Sequence, residues 1–392
     1  MTTTSTPGPT MLDAASLLCE VADELVVRSA RDTHTAWLDR LYGVQRTVSG
    51  ATRPAVHESL HRGIATAVYA GVGGGLRAAS TGLDKLAATG VGPHLEQGRR
   101  GRFVSSAVNG LIGDRLLRER PQMAIPMAVR HHGADVVPDG PGLAEAFPDA
   151  TGRLVVFLHG LCENESYWNH RRERLGTTYP EALAEAGWTP LMLRANTGLP
   201  LRENGAALTG LLQQVVESWP VPVERIALVG HSMGGLVLRA AGAVASDIDE
   251  PWTALVSDVV SLGTPHLGAP VATGVGHGST GLSWLPETAA FGRILEQRSA
   301  GVRDLVRGLA EDVPPLPHAR YHLVAATLTS SRRHPVGATV GDLLVSPSSA
   351  WGRDRRGREL FPGADVLHVG RTDHFGLLCH PRVLESLLTW LA

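Results

Sequence analysis

The chain has 392 residues, 43% of them hydrophobic, and a formal net charge of −2, so it can bury a sizeable core in two units or in one large α/β domain with additions. The near-neutral balance gives no electrostatic case for nucleic acid or an anionic membrane as the main partner, and small or neutral molecules fit better. Three scattered cysteines, Cys19, Cys162 and Cys379, exclude a disulfide framework or a C-x-x-C metal knuckle and point to a reducing compartment.

Residues 1–11 open on a Thr- and Pro-rich run and read as a disordered tail. There is no basic stretch ahead of an apolar segment, and Asp13, Glu20, Asp23 and Glu24 interrupt any signal-peptide core. The longest uncharged apolar run in this third, GIATAVYAGVGGGL at 63–76, falls short of the roughly 20 residues a membrane-spanning helix needs. The expectation is a cytoplasmic protein without a transmembrane segment. Residues 12–120 read as a helical N-terminal region. Leu17, Leu18, Val21, Leu25 and Val26 recur at three-and-four spacing, and further helices are expected around 55–80 and 103–118. Such a region can be a docked bundle, a pocket wall or an arm for self-association, and an oligomer through these helices stays open. It contains HESLH at 57–61, which satisfies the zinc-protease pattern H-E-x-x-H. Position 64 is Ile and no third ligand stands at the usual spacing, so among 17 histidines a solvated helix face is the preferred reading.

After Pro121 the pattern changes to short apolar runs separated by helical stretches: RLVVFLHG (153–160), TPLMLRAN (189–196), ERIALVGH (224–231), SDVVSLGT (257–264), YHLVAATL (321–328) and ADVLHVG (364–370). Buried strands alternating with helices predict a mainly parallel sheet covered on both faces, here over residues 121–392. The connection between the fourth and fifth runs is too long for a simple crossover. Residues of about 268–318 are therefore expected to form a lid or cap, whose Leu282, Trp284, Leu285, Phe291 and Ile294 favour an apolar ligand.

Ligands of such sheets bind beyond the carboxyl ends of the strands. Those ends carry His159-Gly160-Leu161, Gly230-His231-Ser232-Met233-Gly234, Asp342 and His374. GHSMG satisfies G-x-S-x-G, in which small neighbours permit a sharp strand-to-helix turn that lifts the serine hydroxyl clear of the sheet. A hydroxyl is a weak nucleophile until a base takes its proton, and that base needs an acid to orient it. The chain order Ser, Asp, His meets this need.

HGL (159–161), GHSMGG (230–235), GTPHLGAP (263–270), GDLLV (341–345) and DHFGLL (373–378) together resemble the signature segments of α/β-hydrolase fold serine esterases and bacterial-type lipases, over roughly residues 125–392. The resemblance implies an α/β-hydrolase fold with Ser232 as nucleophile, His374 as general base and Asp342 as orienting acid. It also implies an oxyanion hole from the backbone N–H groups of Leu161 and Met233. Leu343 departs from the family's G-D-G-[LV]-V. Asp373 is a rival acid, but adjacent side chains on an extended segment point apart, and Asp365 stands at the wrong end of its strand. His159, His231 and His266 are read as bracing residues, and Cys162 as a small buried one. The implied activity is hydrolysis of a small-molecule or lipid-like carboxylic ester through an acyl-enzyme, with no metal or organic cofactor. Acyl transfer at the same site and a noncatalytic partner- or lipid-binding scaffold are the alternatives.

Overall fold

A computed structural model of the chain describes residues 9–28, 31, 32, 34, 35, 38, 39, 42, 56–245, 247–269, 299–309, 313–354 and 357–392. Two units emerge from it: Met1–Ser105 with Gly274–Arg298, and Ser106–Thr273 with Ser299–Ala392.

In the first unit, helix Met11–Val21 starts at a reciprocal cap. The Thr10 hydroxyl accepts from the amides of Leu12 and Asp13, and the Asp13 carboxylate accepts from the Thr10 amide at 2.7 Å. A wider π turn, Ala22–Val27, prolongs the helix. It runs antiparallel to helix Val56–Ala87, with Ser16 meeting Ser80 at 2.9 Å and Arg77 reaching Asp23 at 2.7 Å. A methyl group on Gly73 would overlap the Asp23 carboxylate, so glycine is needed where the two helices close. In the HESLH segment Glu58 is buried and accepts from Arg62 at 3.1 Å, and His61 Nδ1 meets the Tyr42 hydroxyl at 3.1 Å. Among the described residues there is no group of three or more potential metal ligands, and no helix is long and apolar enough to cross a membrane.

The second unit is organised by an eight-stranded sheet in the order β2-β1-β4-β3-β5-β6-β7-β8. All six sequence runs appear in it as β3 (Arg153–Leu158), β4 (Thr189–Arg194), β5 (Arg225–His231), β6 (Val256–Leu262), β7 (Arg320–Thr327) and β8 (Asp365–Gly370). These six are mutually parallel. The edge hairpin β1 (Ala128–His131) and β2 (Ala134–Val136) was not foreseen. β1 lies antiparallel to β4, and the hairpin turns at His132 and Gly133, both at positive φ (48° and 81°), as a two-residue turn of matching twist requires.

Burial explains the run-like patterning of the strands. In β3, Leu154, Val156 and Leu158 enter one core, together with residues of helices Leu201–Ser218 and Met233–Gly242. The intervening Val155 and Phe157 enter a second core, with Tyr179 and Leu183 of helix Tyr179–Glu185 and Val383 and Leu387 of helix Pro381–Trp390. A strand whose alternate side chains both meet apolar layers has no polar face, hence no period-two alternation. Six parallel strands between two helical layers, with a strand-to-helix turn at a serine after β5, make this an α/β-hydrolase fold.

The unit begins earlier than the change of pattern at Pro121. Within helix Arg99–Glu119, Asn109 donates to the Met123 carbonyl and accepts from the Ile125 amide, both at 2.9 Å. Methyl groups on Gly110 and Gly113 would overlap Cys162 and Asn196. Ser299, which caps helix Ala300–Arg307, donates its hydroxyl to the Gly110 carbonyl at 2.7 Å. Of the lid expected over about 268–318, residues 270–298 and 310–312 lie outside the described residues, Leu282, Trp284, Leu285, Phe291 and Ile294 among them. Leu309 and Val313 are buried in the first core.

Candidate active site

Ser232 stands between the end of β5 and the start of helix Met233–Gly242 with φ 52° and ψ −123°, a conformation that side chains avoid unless the surroundings impose it. Here the surroundings do. The Ser232 amide donates to the Leu262 carbonyl at 2.8 Å, and the Gly235 amide returns to the Ser232 carbonyl at 3.2 Å. A methyl on Gly234 would overlap the Leu158 carbonyl, one on Gly235 the Thr264 hydroxyl, and one on Gly230 the Gly234–Gly235 backbone. The glycines of GHSMGG thus let β3, β5 and β6 crowd one turn, leaving Ser232 only 7% exposed at the carboxyl ends of the strands.

His374 follows β8 and opens the short 3-10 turn Phe375–Cys379. Its Nδ1 lies 2.7 Å from Asp342 Oδ2, and its amide donates to the Asp342 carbonyl at 3.1 Å. The other ring nitrogen, Nε2, is buried without a hydrogen-bond partner, so no hydrogen bond joins it to Ser232 in this conformation. The serine turn and the His374 ring nevertheless lie against the same neighbours. The Cβ position of Gly263, next to the Leu262 that holds the Ser232 amide, is 3.2 Å from the His374 ring, and the His231 and His374 ring centroids are 4.7 Å apart.

Asp342 is 1% exposed, and its second oxygen, Oδ1, accepts from the amides of Leu344 and Val345 at 3.0 and 2.8 Å. Its turn shows what the departure at 343 costs. Leu343 sits at φ 90° with half its surface exposed, in the region glycine enters freely and leucine does not. Leu343→Gly relieves strain of about 1–2 kcal/mol while adding about 0.5–1 kcal/mol of unfolded-chain freedom. The expected outcome is a gain of roughly 0.5–1 kcal/mol, read as a higher urea midpoint at unchanged slope. Asp373 accepts from the Gly376 amide at 2.6 Å and approaches Arg171, while Asp365 is exposed and meets His322 at 3.0 Å. Neither has a hydrogen bond to the His374 ring.

The segment after β3 lies against the elbow. A Cβ on Gly160 would be 3.0 Å from Ser232 Cβ. The amides on either side of Leu161 are fixed, Gly160 to Glu163 Oε2 at 2.8 Å and Cys162 to Thr197 Oγ1 at 3.1 Å. Met233 is the first residue of its helix, where a backbone N–H has no acceptor within the helix. His159 accepts from the Ala195 amide through Nε2 at 3.1 Å and donates Nδ1–H to the Gly160 carbonyl at 2.9 Å. One acceptor and one donor make a neutral ring, in keeping with the lowering of its pKa by burial. His231 Nδ1 meets Glu163 Oε2 at 3.0 Å, and its Nε2 meets the His374 carbonyl at 3.2 Å. Burial, the largest single influence, pulls the His231 pKa down, but the Glu163 charge, the hydrogen bond to Glu163 and the bond to the His374 carbonyl together outweigh it, and the net direction is upward. For Glu163, burial is the largest single influence and pushes up, but the His231 charge and the hydrogen bonds from His231 and the Gly160 amide together outweigh it, so the net direction is downward. Burial lifts the Cys162 thiol to about 11, which keeps it protonated at neutral pH. His266 packs against Phe361 with its pKa lowered by burial and then by Arg239. Sequence reasoning passed over Glu163 and Thr197. The available signal was an acid at the third position after Gly160 in a turn-forming C-E-N context.

Fold and site together are of the kind a serine hydrolase needs. Residues 149–304 match the model of a family described as "Putative serine esterase (DUF676)", and the resemblance carried by the motifs stands with it. The chain is also similar to the solved structure of the mature Bacillus licheniformis lipase BlEst2, at 20% identity over 61% of this chain and 92% of that one, with a TM-score of 0.43. A second solved structure, the Pyrococcus furiosus esterase PF2001, is 16% identical over 62% of this chain and 83% of its own, with a TM-score of 0.37. No curated protein matches the chain.

Proposed function

We propose that the chain hydrolyses a small or lipid-like carboxylic ester, in a cytoplasmic setting, through an acyl-enzyme formed on Ser232. The Ser232 Oγ attacks the ester carbonyl while His374 Nε2 takes its proton, and the Leu161 and Met233 amides hold the charge that develops on the carbonyl oxygen. His374 then returns the proton to the departing alcohol, leaving the acyl group on Ser232. Water, deprotonated by the same nitrogen, releases the acid and restores the serine. Asp342 keeps Nδ1 protonated, so that Nε2 is the nitrogen with a free lone pair. These steps call on neither a metal nor an organic cofactor. The observation that carries the reading is the unpartnered, buried Nε2 of a histidine tied to Asp342 at 2.7 Å, beside a serine held at φ 52°.

The test is labelling with an alkyl fluorophosphonate and hydrolysis of p-nitrophenyl esters of graded chain length, with wild type beside Ser232→Ala. Wild type is expected to react and turn over, the variant to do neither. Equal labelling of both removes the assignment. Product analysis with and without an added alcohol separates hydrolysis from acyl transfer.

A further inference from the structure

We propose that Glu163 and a doubly protonated His231 form a buried charged strut that positions the oxyanion segment and the His374 backbone around Ser232. The proposal rests on the esterase reading above. It makes Glu163 a positioning residue for that reaction.

Three strand ends meet in the pair. Gly160 N–H, after β3, and His231 Nδ1, at the end of β5, both donate to the same oxygen, Glu163 Oε2, at 2.8 and 3.0 Å. His231 Nε2 reaches the backbone carbonyl of His374, after β8, at 3.2 Å. With Glu163 ionised, as its lowered pKa favours, the carboxylate and the carbonyl are both acceptors, so both ring nitrogens carry hydrogens and the ring is an imidazolium. His159, equally buried, has one acceptor partner and one donor partner and needs no charge. The charged and titratable groups around His231 are Glu163 and His159 from the β3 side, and Asp342 and His374 from the β7 and β8 side. Both carboxylates favour the charged ring.

Burying such a pair costs several kcal/mol per ion, and an apolar pair of equal volume would serve stability as well or better. Directed bonds are what an apolar pair cannot supply. Because His231 adjoins Ser232 in the chain, its ring is an anchor fixed to the elbow. From it one bond holds the base loop, and another, through Glu163, holds the amide next to Leu161. The signs of the shifts give the working range. Glu163, with a lowered pKa, contributes stability above its unfolded value and loses it as pH falls through the folded one. His231, with a raised pKa, contributes fully below its unfolded value and loses it as pH rises through the folded one. The strut is intact from below the usual carboxylate range to above the usual histidine range.

Glu163→Gln keeps the shape and one oxygen for both bonds and removes only the charge. Histidine-selective ¹⁵N spectra of the full chain, with His231 assigned from His231→Gln, are recorded from about pH 5 to pH 9, spanning the ordinary histidine value near 6.5. In wild type both His231 nitrogens are expected to stay protonated past that value, and in Glu163→Gln one is bare at neutral pH. For p-nitrophenyl butyrate, kcat of Glu163→Gln is expected to fall about 10- to 100-fold, with KM held within about twofold and the fluorophosphonate rate falling in parallel. A bare His231 nitrogen in wild type at neutral pH overturns the proposal, as does a folded Glu163→Gln with wild-type kcat. If Glu163→Gln does not fold, the wild-type spectrum decides. A wild type that is neither labelled nor active overturns the esterase reading and the positioning role together. A labelled, active wild type with a neutral His231 overturns the strut alone.

Discussion

Ser232→Ala is expected to lower kcat for ester hydrolysis by on the order of 10⁶-fold, the loss seen when a serine nucleophile is removed from a unit that acts together. KM should change little, since the methyl group occupies the same place and the binding surfaces stay. The magnitude follows from what remains. On the proposed mechanism no acyl-enzyme forms without Ser232, and water must attack directly with only the amides proposed for the oxyanion hole, Leu161 and Met233, to stabilise the charge. Such a residue of catalysis over the uncatalysed rate is real but small, about 10³- to 10⁴-fold. Steady-state rates with p-nitrophenyl butyrate check the loss, and a melting curve matching wild type checks that the elbow survives. Retention of a tenth or more of the wild-type kcat would place the nucleophile elsewhere.

Asp342→Asn is expected to cost roughly 10⁴-fold in kcat, as replacement of an orienting acid by its amide does in serine hydrolases. The loss is chemical more than structural. The side-chain amide introduced there can still accept from the Leu344 and Val345 backbone through the position of Oδ1, the two bonds that hold the turn at 3.0 and 2.8 Å in wild type. Its NH₂ group then faces His374 Nδ1, which must become the acceptor, and the ring proton moves to Nε2. A base whose working nitrogen already carries a proton cannot take one from Ser232. Kinetics combined with a fluorophosphonate labelling rate distinguish this from unfolding: labelling slows with kcat while the stability read from urea unfolding shifts by less than about 1 kcal/mol. Activity within tenfold of wild type would mean that another carboxylate orients the ring.

The central parallel strands were legible because they are buried on both faces, so that Leu154 to Leu158 reads as one apolar run. The serine turn was legible for a related reason: three backbones crowd it, and only glycine fits at 230, 234 and 235. The edge hairpin was not, since β1 and β2 have four and three residues and its turn is signalled only by His132-Gly133. Asp342 was picked from its place in chain order, and what the departure from the usual glycine at Leu343 costs became visible only as a backbone angle. Glu163 escaped because its partners, Gly160 and His231, are 3 and 68 residues away, and nothing in a single sequence pairs an acid with a histidine at such a distance. The helical propensity of 103–118 was clear enough, but not that the second half of helix Arg99–Glu119 serves the hydrolase unit, because that role depends on glycines 110 and 113 receiving Cys162 and Asn196.

That last arrangement bears on how the chain can be divided. A fragment cut at Pro121 would retain every strand and each of the three residues assigned to the chemistry, yet it would lose the bed on which Cys162 and Asn196 rest and the acceptor of the Ser299 hydroxyl. A self-sufficient hydrolase piece must therefore start upstream of Gly110, with the second unit at Ser106, well before the first β-strand.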